Sequence, residues 1–236
     1  MFIAFFYCLQ QMTMTHEEVK NVERRTRGQN SNSLWHELRL GCLGRLTVSK
    51  FGIVLKACRR NSFPADLFKS LFEQYNVSGV KAVTWGMENE QKAVDDYIAS
   101  YGLLEEVGLC LHPSGALAAT PDRLEGSDGI VEIKCPYAYK NATIPDYLED
   151  SKCCVSLNES GEFRLKKIHI YYDQCQGQLC LTGRSHLHFF VWLPSGSLRV
   201  RVEKDEEWAS TNIPLLLDFY FNRMLPEYGR SLGYIF

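Results

Sequence analysis

The spacing of apolar residues changes period several times along the chain. Leu34 to Leu40 has helical spacing, and so does Ser49 to Ala57, with Phe51, Val54 and Leu55 on one face. Pro64 suits the first turn of a short helix running to Tyr75. Val80 to Tyr101 predicts a longer helix, with Gly102 as its stop. The period then falls to two. Leu109 to Leu111, Leu117 to Thr120 and Gly129 to Lys134 predict short strands separated by HPSG and EGSDG turns. Helical spacing returns over Ile168 to Thr182. Leu187 to Leu193 and Leu198 to Glu203 alternate as a hairpin around PSG, and Asn212 to Pro226 predicts a closing apolar helix. The plan is α/β in the α+β sense, a mixed sheet flanked by helices.

The start of the chain reads differently. MFIAFFYCLQQ has the apolar look of a signal peptide but neither a basic flank nor a small-residue cleavage site, so residues 1–11 are expected to be an appendage. Residues 12–32 are polar, with few apolar anchors and a Gly, Asn and Ser ending, and predict a short helix or arm followed by a loop. The expected division is therefore 1–32 as appendage and basic arm, 33–230 as one domain, and 231–236 as a tail.

Composition excludes whole classes. Thirteen Phe, twelve Tyr and four Trp in 236 residues are too many large apolar anchors for a disordered chain. The longest apolar run, Phe2 to Leu9, is far short of the ~20 residues of a membrane-spanning helix, so no membrane is expected as a partner. A net charge of −2 hides an asymmetry: residues 1–60 carry +6 and the remainder −8. A basic region beside an acidic body suits phosphate binding and hard-metal binding respectively, although two solvated faces would give the same sums. Nine cysteines without a CxxC spacing read as small hydrophobes in a reducing, intracellular compartment.

The chemistry concentrates in TPDRLEGSDGIVEIKCP, residues 120–136. On a strand, Glu132 and Lys134 share one face of GIVEIK, while Val131 and Ile133 point the other way into the core. A surface ion pair is the bland explanation. However, of the four Asp/Glu-x-Lys triplets in the chain, only this one lies in an apolar run with a Pro-Asp ten residues upstream. Strands joined by the EGSDG turn bring Asp122 and Glu132 together, and two such carboxylates repel unless a proton or a cation bridges them. Mg²⁺, which takes few carboxylates and keeps several waters, suits the pair. Glu90, Ala93, Val94, Tyr97 and Ile98 follow i, i+3, i+4, i+7, i+8 spacing, which places Glu90 on a core-facing stripe and leaves Glu88 off it. The histidines are read as structural. His186 and His188 share a strand face, but no acid stands near them in sequence to complete a zinc set.

These blocks, SLWHELRLG, LTVSKFG, WGMENE, ATPDRL, IVEIKCP and YYDQCQGQLCLTG, occur in an order that resembles the lambda-exonuclease or YqaJ-type viral recombinase nucleases, a branch of the PD-(D/E)xK superfamily. The resemblance runs from Ser33 to Pro226 and implies a restriction-endonuclease-like core. It implies Asp122, Glu132 and the Ile133 carbonyl as metal ligands, with Glu90 helping to hold the metals. Lys134 would position or deprotonate the attacking water. Gln174 matches the active-site glutamine, with Gln178 one turn on and Gln176 on a different face. Arg39 and Ser49 match the residues that bind a terminal 5′-phosphate, a task that suits the rigid fork of arginine. An extra triplet near Cys42 separates the two blocks, so Arg45 competes with Arg39 for that place. Arg123 stands where glycine is frequent. The implied activity is Mg²⁺-dependent hydrolysis of DNA, with Mn²⁺ as a substitute, from 5′-phosphorylated ends of double-stranded DNA in the 5′-to-3′ direction. A homo-oligomer and a single-strand-annealing partner protein are further expectations of the same kind. Two other classes fit less well: a non-catalytic DNA-end-binding module and a protein-interaction domain.

Overall fold

A computed structural model of the chain describes residues 12–40, 44–72 and 80–231. Its elements are α1 (His16–Arg25), α2 (Ser33–Leu40), β1 (Leu46–Thr47), α3 (Phe51–Arg60), α4 (Ala65–Leu71), α5 (Lys81–Tyr101), β2 (Cys110–Leu111), β3 (Leu117–Ala119), β4 (Arg123–Glu125), β5 (Gly129–Lys134), α6 (Ile144–Glu149), β6 (Val155–Leu157), β7 (Phe163–Leu165), α7 (Ile170–Thr182), β8 (His186–Leu193), β9 (Gly196–Glu203), α8 (Glu206–Phe219) and α9 (Leu225–Ser231). A π-helical turn, Tyr220–Met224, joins the last two helices.

The main sheet has the order β4-β5-β8-β9. Its outer pairs are antiparallel, and its central pair, β5 with β8, is parallel. Parallel strands need a long crossover, and the chain from α6 to α7 supplies it. Both faces of β5 are covered. Ile130 joins Leu187, Phe189, Val191 and Leu179 of α7 in the larger core. Val131 and Ile133 pack with Phe190, Trp192 and Ala93, Val94 and Tyr97 of α5 in a second core. Val131 and Ile133 point into a core as expected, and the opposite face is covered as well: Glu132 on the α7 face is only 2% exposed.

Most predicted elements recur with shifted ends. The helix expected from Pro64 to Tyr75 spans Ala65–Leu71, with Pro64 as its N-cap, and residues 73–79 lie outside the described set. The closing helix begins earlier than expected, because Asp205 accepts the Trp208 N–H at 2.9 Å and caps α8. The partner of β5 across the EGSDG turn is Arg123–Glu125, whereas Leu117–Ala119 pairs in a separate sheet, β1-β3-β2. The second Pro-Asp, at Pro145–Asp146, is a helix start: Asp146 accepts the Thr143 N–H at 2.8 Å in a capping box.

Residues 12–32 are not an appendage. Met14, Val19 and Val22 pack with Trp35, Leu38, Leu109, Leu111 and Ala118. Thr26 is fully buried; its hydroxyl donates to the Val22 carbonyl at 2.6 Å and accepts the Leu109 N–H at 2.7 Å. The segment docks through Met14, ahead of α1, and through Val19 and Val22 on one face of that helix. Two of the arm's basic charges are also spent internally, Arg24 on Glu17 and Arg27 on Glu23, each at 3.0 Å.

Helix α3 approaches α7 closely enough to require glycine. A Cβ on Gly52 would lie 2.6 Å from Ile170 Cβ, and one on Gly177 would lie 2.7 Å from the Phe51 ring. We expect Gly52→Ala to destabilise the protein by about 1–3 kcal/mol despite alanine's better helix propensity. A urea midpoint equal to or above that of the parent would show that the two helices are not in this contact.

Candidate active site

The β4–β5 register sets Arg123 opposite Val131, which brings Asp122 to the end of the ladder beside Glu132 and Ile133. Asp122 Oδ2 accepts the Ile133 N–H at 2.6 Å. Glu132 is held by three donors. Gln174 Nε2 reaches Oε1 at 2.5 Å, Gln178 Nε2 reaches Oε2 at 2.6 Å, and the Lys134 ammonium also bonds Oε1. The two glutamines are one helical turn apart on the face of α7 that covers the sheet. Gln176, between them, bonds the Glu203 carbonyl and the Asp205 N–H on another side. Gln178 was visible in sequence only as a neighbour of Gln174 at helical spacing; its grip on Glu132 comes from the packing of α7.

The electrostatics are those of an anionic pair short of positive charge. Burial, and then the Glu132 charge, push the Asp122 carboxyl well above the usual range. Burial alone would depress the Lys134 ammonium, but Glu132 and Asp122 outweigh it and hold it above its ordinary value. Lys134 also lies 5.2 Å from the centre of the Tyr171 ring. In this arrangement it is a cation and a hydrogen-bond donor. The Gln178 Oε1 is buried and has no hydrogen-bond partner among the described residues. Opposed carboxylates with amide and carbonyl oxygens around them are hard donors, which suits a Mg²⁺-class ion.

Glu90 departs from expectation. The buried face of α5 runs through Asn89, Ala93, Val94 and Tyr97, and Glu90 is exposed on its edge. Asn89 takes the inward place, its amide donating to the Trp85 carbonyl at 2.9 Å. Glu90 does not form a three-carboxylate group with Asp122 and Glu132 within 4.8 Å. Its charge still adds, as the smallest named contribution, to the raised Asp122 carboxyl. The helical spacing alone cannot separate adjacent positions on the margin of a stripe.

Arg39 and Ser49 are brought together with Gln174. They line a concavity of about 190 Å³ with Thr47, Thr120, Trp35 and Gln29. The Arg39 guanidinium stacks over the Trp35 ring at 4.9 Å, and the Thr47 and Ser49 hydroxyls are 3.1 Å apart. Arg45 does not line it; it bonds the Gly115 carbonyl at 3.0 Å and the Leu38 carbonyl. Of the segment that separates the two blocks, residues 41–43 lie outside the described set. Gln29, from the segment read as an arm, bonds the Pro121 carbonyl at 2.8 Å and so steadies the residue before Asp122. Arg123 turns back onto the Asp122 carbonyl at 2.6 Å. Two larger surface clefts, of about 510 and 540 Å³, include none of these residues.

A mixed sheet flanked by helices, with opposed acids and a lysine on adjacent strands, is the restriction-endonuclease-like arrangement. A YqaJ-like viral recombinase domain matches residues 34–185, well over half of the chain, and the chain belongs to that family. It is 26% identical over 228 residues to the alkaline nuclease of Autographa californica nuclear polyhedrosis virus, covering 87% of this chain and 51% of the viral protein. The alkaline nuclease of Orgyia pseudotsugata multicapsid polyhedrosis virus is 27% identical over 202 residues, 75% of this chain and 44% of that protein. The chain thus spans about half the length of the curated relatives it matches. Among solved structures, an alkaline exonuclease from Laribacter hongkongensis superposes with a TM-score of 0.59 at 25% identity, over 84% of this chain and 96% of that one. Among the described residues no helix is long and apolar enough to cross a membrane.

The raised Asp122 carboxyl has a stability consequence. An acid whose folded value exceeds its unfolded one keeps its proton longer when folded. Between the ordinary value of 3.8 and the raised value, stability therefore falls as pH rises. We expect Asp122→Asn to melt several degrees above the parent at pH 8 in EDTA, with the difference closing below about pH 4. A variant that melts lower than the parent at pH 8 would contradict this.

Proposed function

We propose that the protein is a metal-dependent DNA nuclease that removes nucleotides 5′-to-3′ from 5′-phosphorylated ends of linear double-stranded DNA. The observation that carries this reading is the pair of half-buried Asp122 and buried Glu132 with Lys134 beside it, on a fold shared with an alkaline exonuclease. Asp122, Glu132 and the Ile133 carbonyl would hold Mg²⁺, or Mn²⁺ in its place, with Glu90 at the rim. That ion supplies a lowered pKa for the attacking water and charge neutralisation at the phosphate.

The chain's own residues do the rest. Gln174 and Gln178 fix the plane of the Glu132 carboxylate, so its oxygens need no reorganisation when a cation or phosphate arrives. Lys134, kept protonated by its two acidic neighbours, donates to an attacking water and offsets charge on the phosphoryl oxygens. This favours a positioning role over a basic one. Arg39 presents its fork to a terminal phosphate, with the Ser49 and Thr47 hydroxyls as further donors in the same concavity as Gln174. A terminal phosphate seated there leaves the next phosphodiester near the carboxylates, which is how an end-dependent enzyme measures its step.

End-labelled duplex with either a 5′-phosphate or a 5′-hydroxyl tests the proposal. We expect Mg²⁺-dependent release of mononucleotides, reduced about 100-fold or more by Lys134→Ala and by Glu132→Gln. Arg39→Ala should lose the preference for the phosphorylated end, about 10- to 100-fold, while an Arg45 substitution acts on stability. Internal cuts would overturn the exonuclease step and keep the site. No cleavage of any DNA by the folded protein would leave an end-binding module if duplex ends still bind, and an interaction domain if they do not.

A further inference from the structure

The face of the main sheet opposite Glu132 carries a second cluster that the nuclease reading does not use. His186 and His188 alternate on β8, and Glu125 on β4 lies two strands away across β5. The register aligns Glu125, Gly129 and His186 in one row. Side chains in one row point to one face, so Glu125 and His186 meet over Gly129. The glycine is required there: a Cβ would stand 2.8 Å from His186 Nε2 and 3.3 Å from Glu125 Cβ. His188, 5% exposed, points to the same face, and one ligand atom from each of the three residues lies within 4.8 Å of the others.

We propose that Glu125, His186 and His188 form a binding site for a zinc-class divalent ion, separate from the candidate nuclease site. Two imidazoles and one carboxylate are the donor set of borderline metals such as Zn²⁺, Co²⁺ and Ni²⁺, not of Mg²⁺. Tyr97 supplies an outer hydrogen bond, its hydroxyl 2.8 Å from Glu125 Oε1, which fixes the carboxylate's direction.

Arg199 occupies the place of a competitor. Its Nη2 lies 2.8 Å from His188 Nδ1, 2.9 Å from Nε2 and 3.4 Å from Glu125 Oε1. A single nitrogen equidistant from both ring nitrogens sits over the imidazole face and cannot bond both in plane. The guanidinium also stacks 4.3 Å from the centre of the half-exposed Tyr101 ring, a position it can keep while withdrawing from the histidine. In this structure Arg199 supplies the positive charge that Glu125 requires. A dication would supply it with directional bonds to both histidines, so metal and guanidinium exclude each other.

The test uses the full chain carrying Asp122→Asn and Glu132→Gln, which silences the other carboxylates. We expect it to bind one equivalent of Zn²⁺ by calorimetry, with Mg²⁺ not competing. Co²⁺ should give visible absorption without the near-ultraviolet band of thiolate ligation. Adding His186→Ala or Glu125→Gln, both at partly exposed positions, should weaken binding about tenfold or more, and Arg199→Gln should tighten it. Absence of Zn²⁺ binding both in this protein and with Arg199→Gln added would overturn the proposal. So would binding unchanged by His186→Ala in a protein with native circular dichroism, or a thiolate spectrum, which would place the metal on cysteine.

Discussion

A carboxylate buried on a strand that is covered on both faces is the constraint around which this molecule is built. Glu132 sits between a parallel neighbour, an antiparallel hairpin and a helix, at 2% exposure. An ion in that position is untenable without compensation. Three donors provide it, two from α7 and one two residues along the same strand. Each of those donors constrains something larger. The glutamines set the rotation of α7 about its axis, and that rotation sets which face of α7 meets α3.

The close approach of α3 to α7 follows from the same rotation. With Gln174 and Gln178 turned to the sheet, Gly177 faces Phe51 and Ile170 faces Gly52. Helix α3 in turn follows directly on the turn that carries Thr47 and Ser49 into the concavity with Arg39. The phosphate-binding candidates and the carboxylates are thus coupled through one helix pair, although they are far apart in sequence. Residues 12–32 belong to this framework too, because Gln29 ties the start of the chain to Pro121, next to Asp122.

The two faces of the sheet separate two kinds of charge problem. On the α7 face, burial and then the neighbouring Glu132 charge drive the Asp122 carboxyl up, and Lys134 offsets this only in part. On the α5 face, Glu125 is balanced by Arg199 and by hydrogen bonds from Tyr97 and His188. Alternation along β5 and β8 keeps the faces apart with a single residue of offset, Val131 against Glu132. A one-residue slip of β5 would exchange them, so the register is held by charge as well as by apolar packing.

What the sequence by itself determined was local: the alternation of GIVEIK, the turn that pairs Asp122 with Glu132, the spacing of Gln174 and Gln178, and the helix-strand-helix plan. These are legible because they depend on residues within one or two elements, where period and turn chemistry are decisive. Tertiary structure decided the rest. It turned Glu90 outward on a stripe margin that spacing could not resolve, and it placed Arg39, without Arg45, in one concavity with Ser49 and Gln174. It docked a polar-looking arm through three apolar side chains, and it brought Glu125 across a glycine to two histidines more than sixty residues away. Such juxtapositions are set by strand register and helix rotation, and these follow from the packing of the whole core, which no local pattern in the chain records.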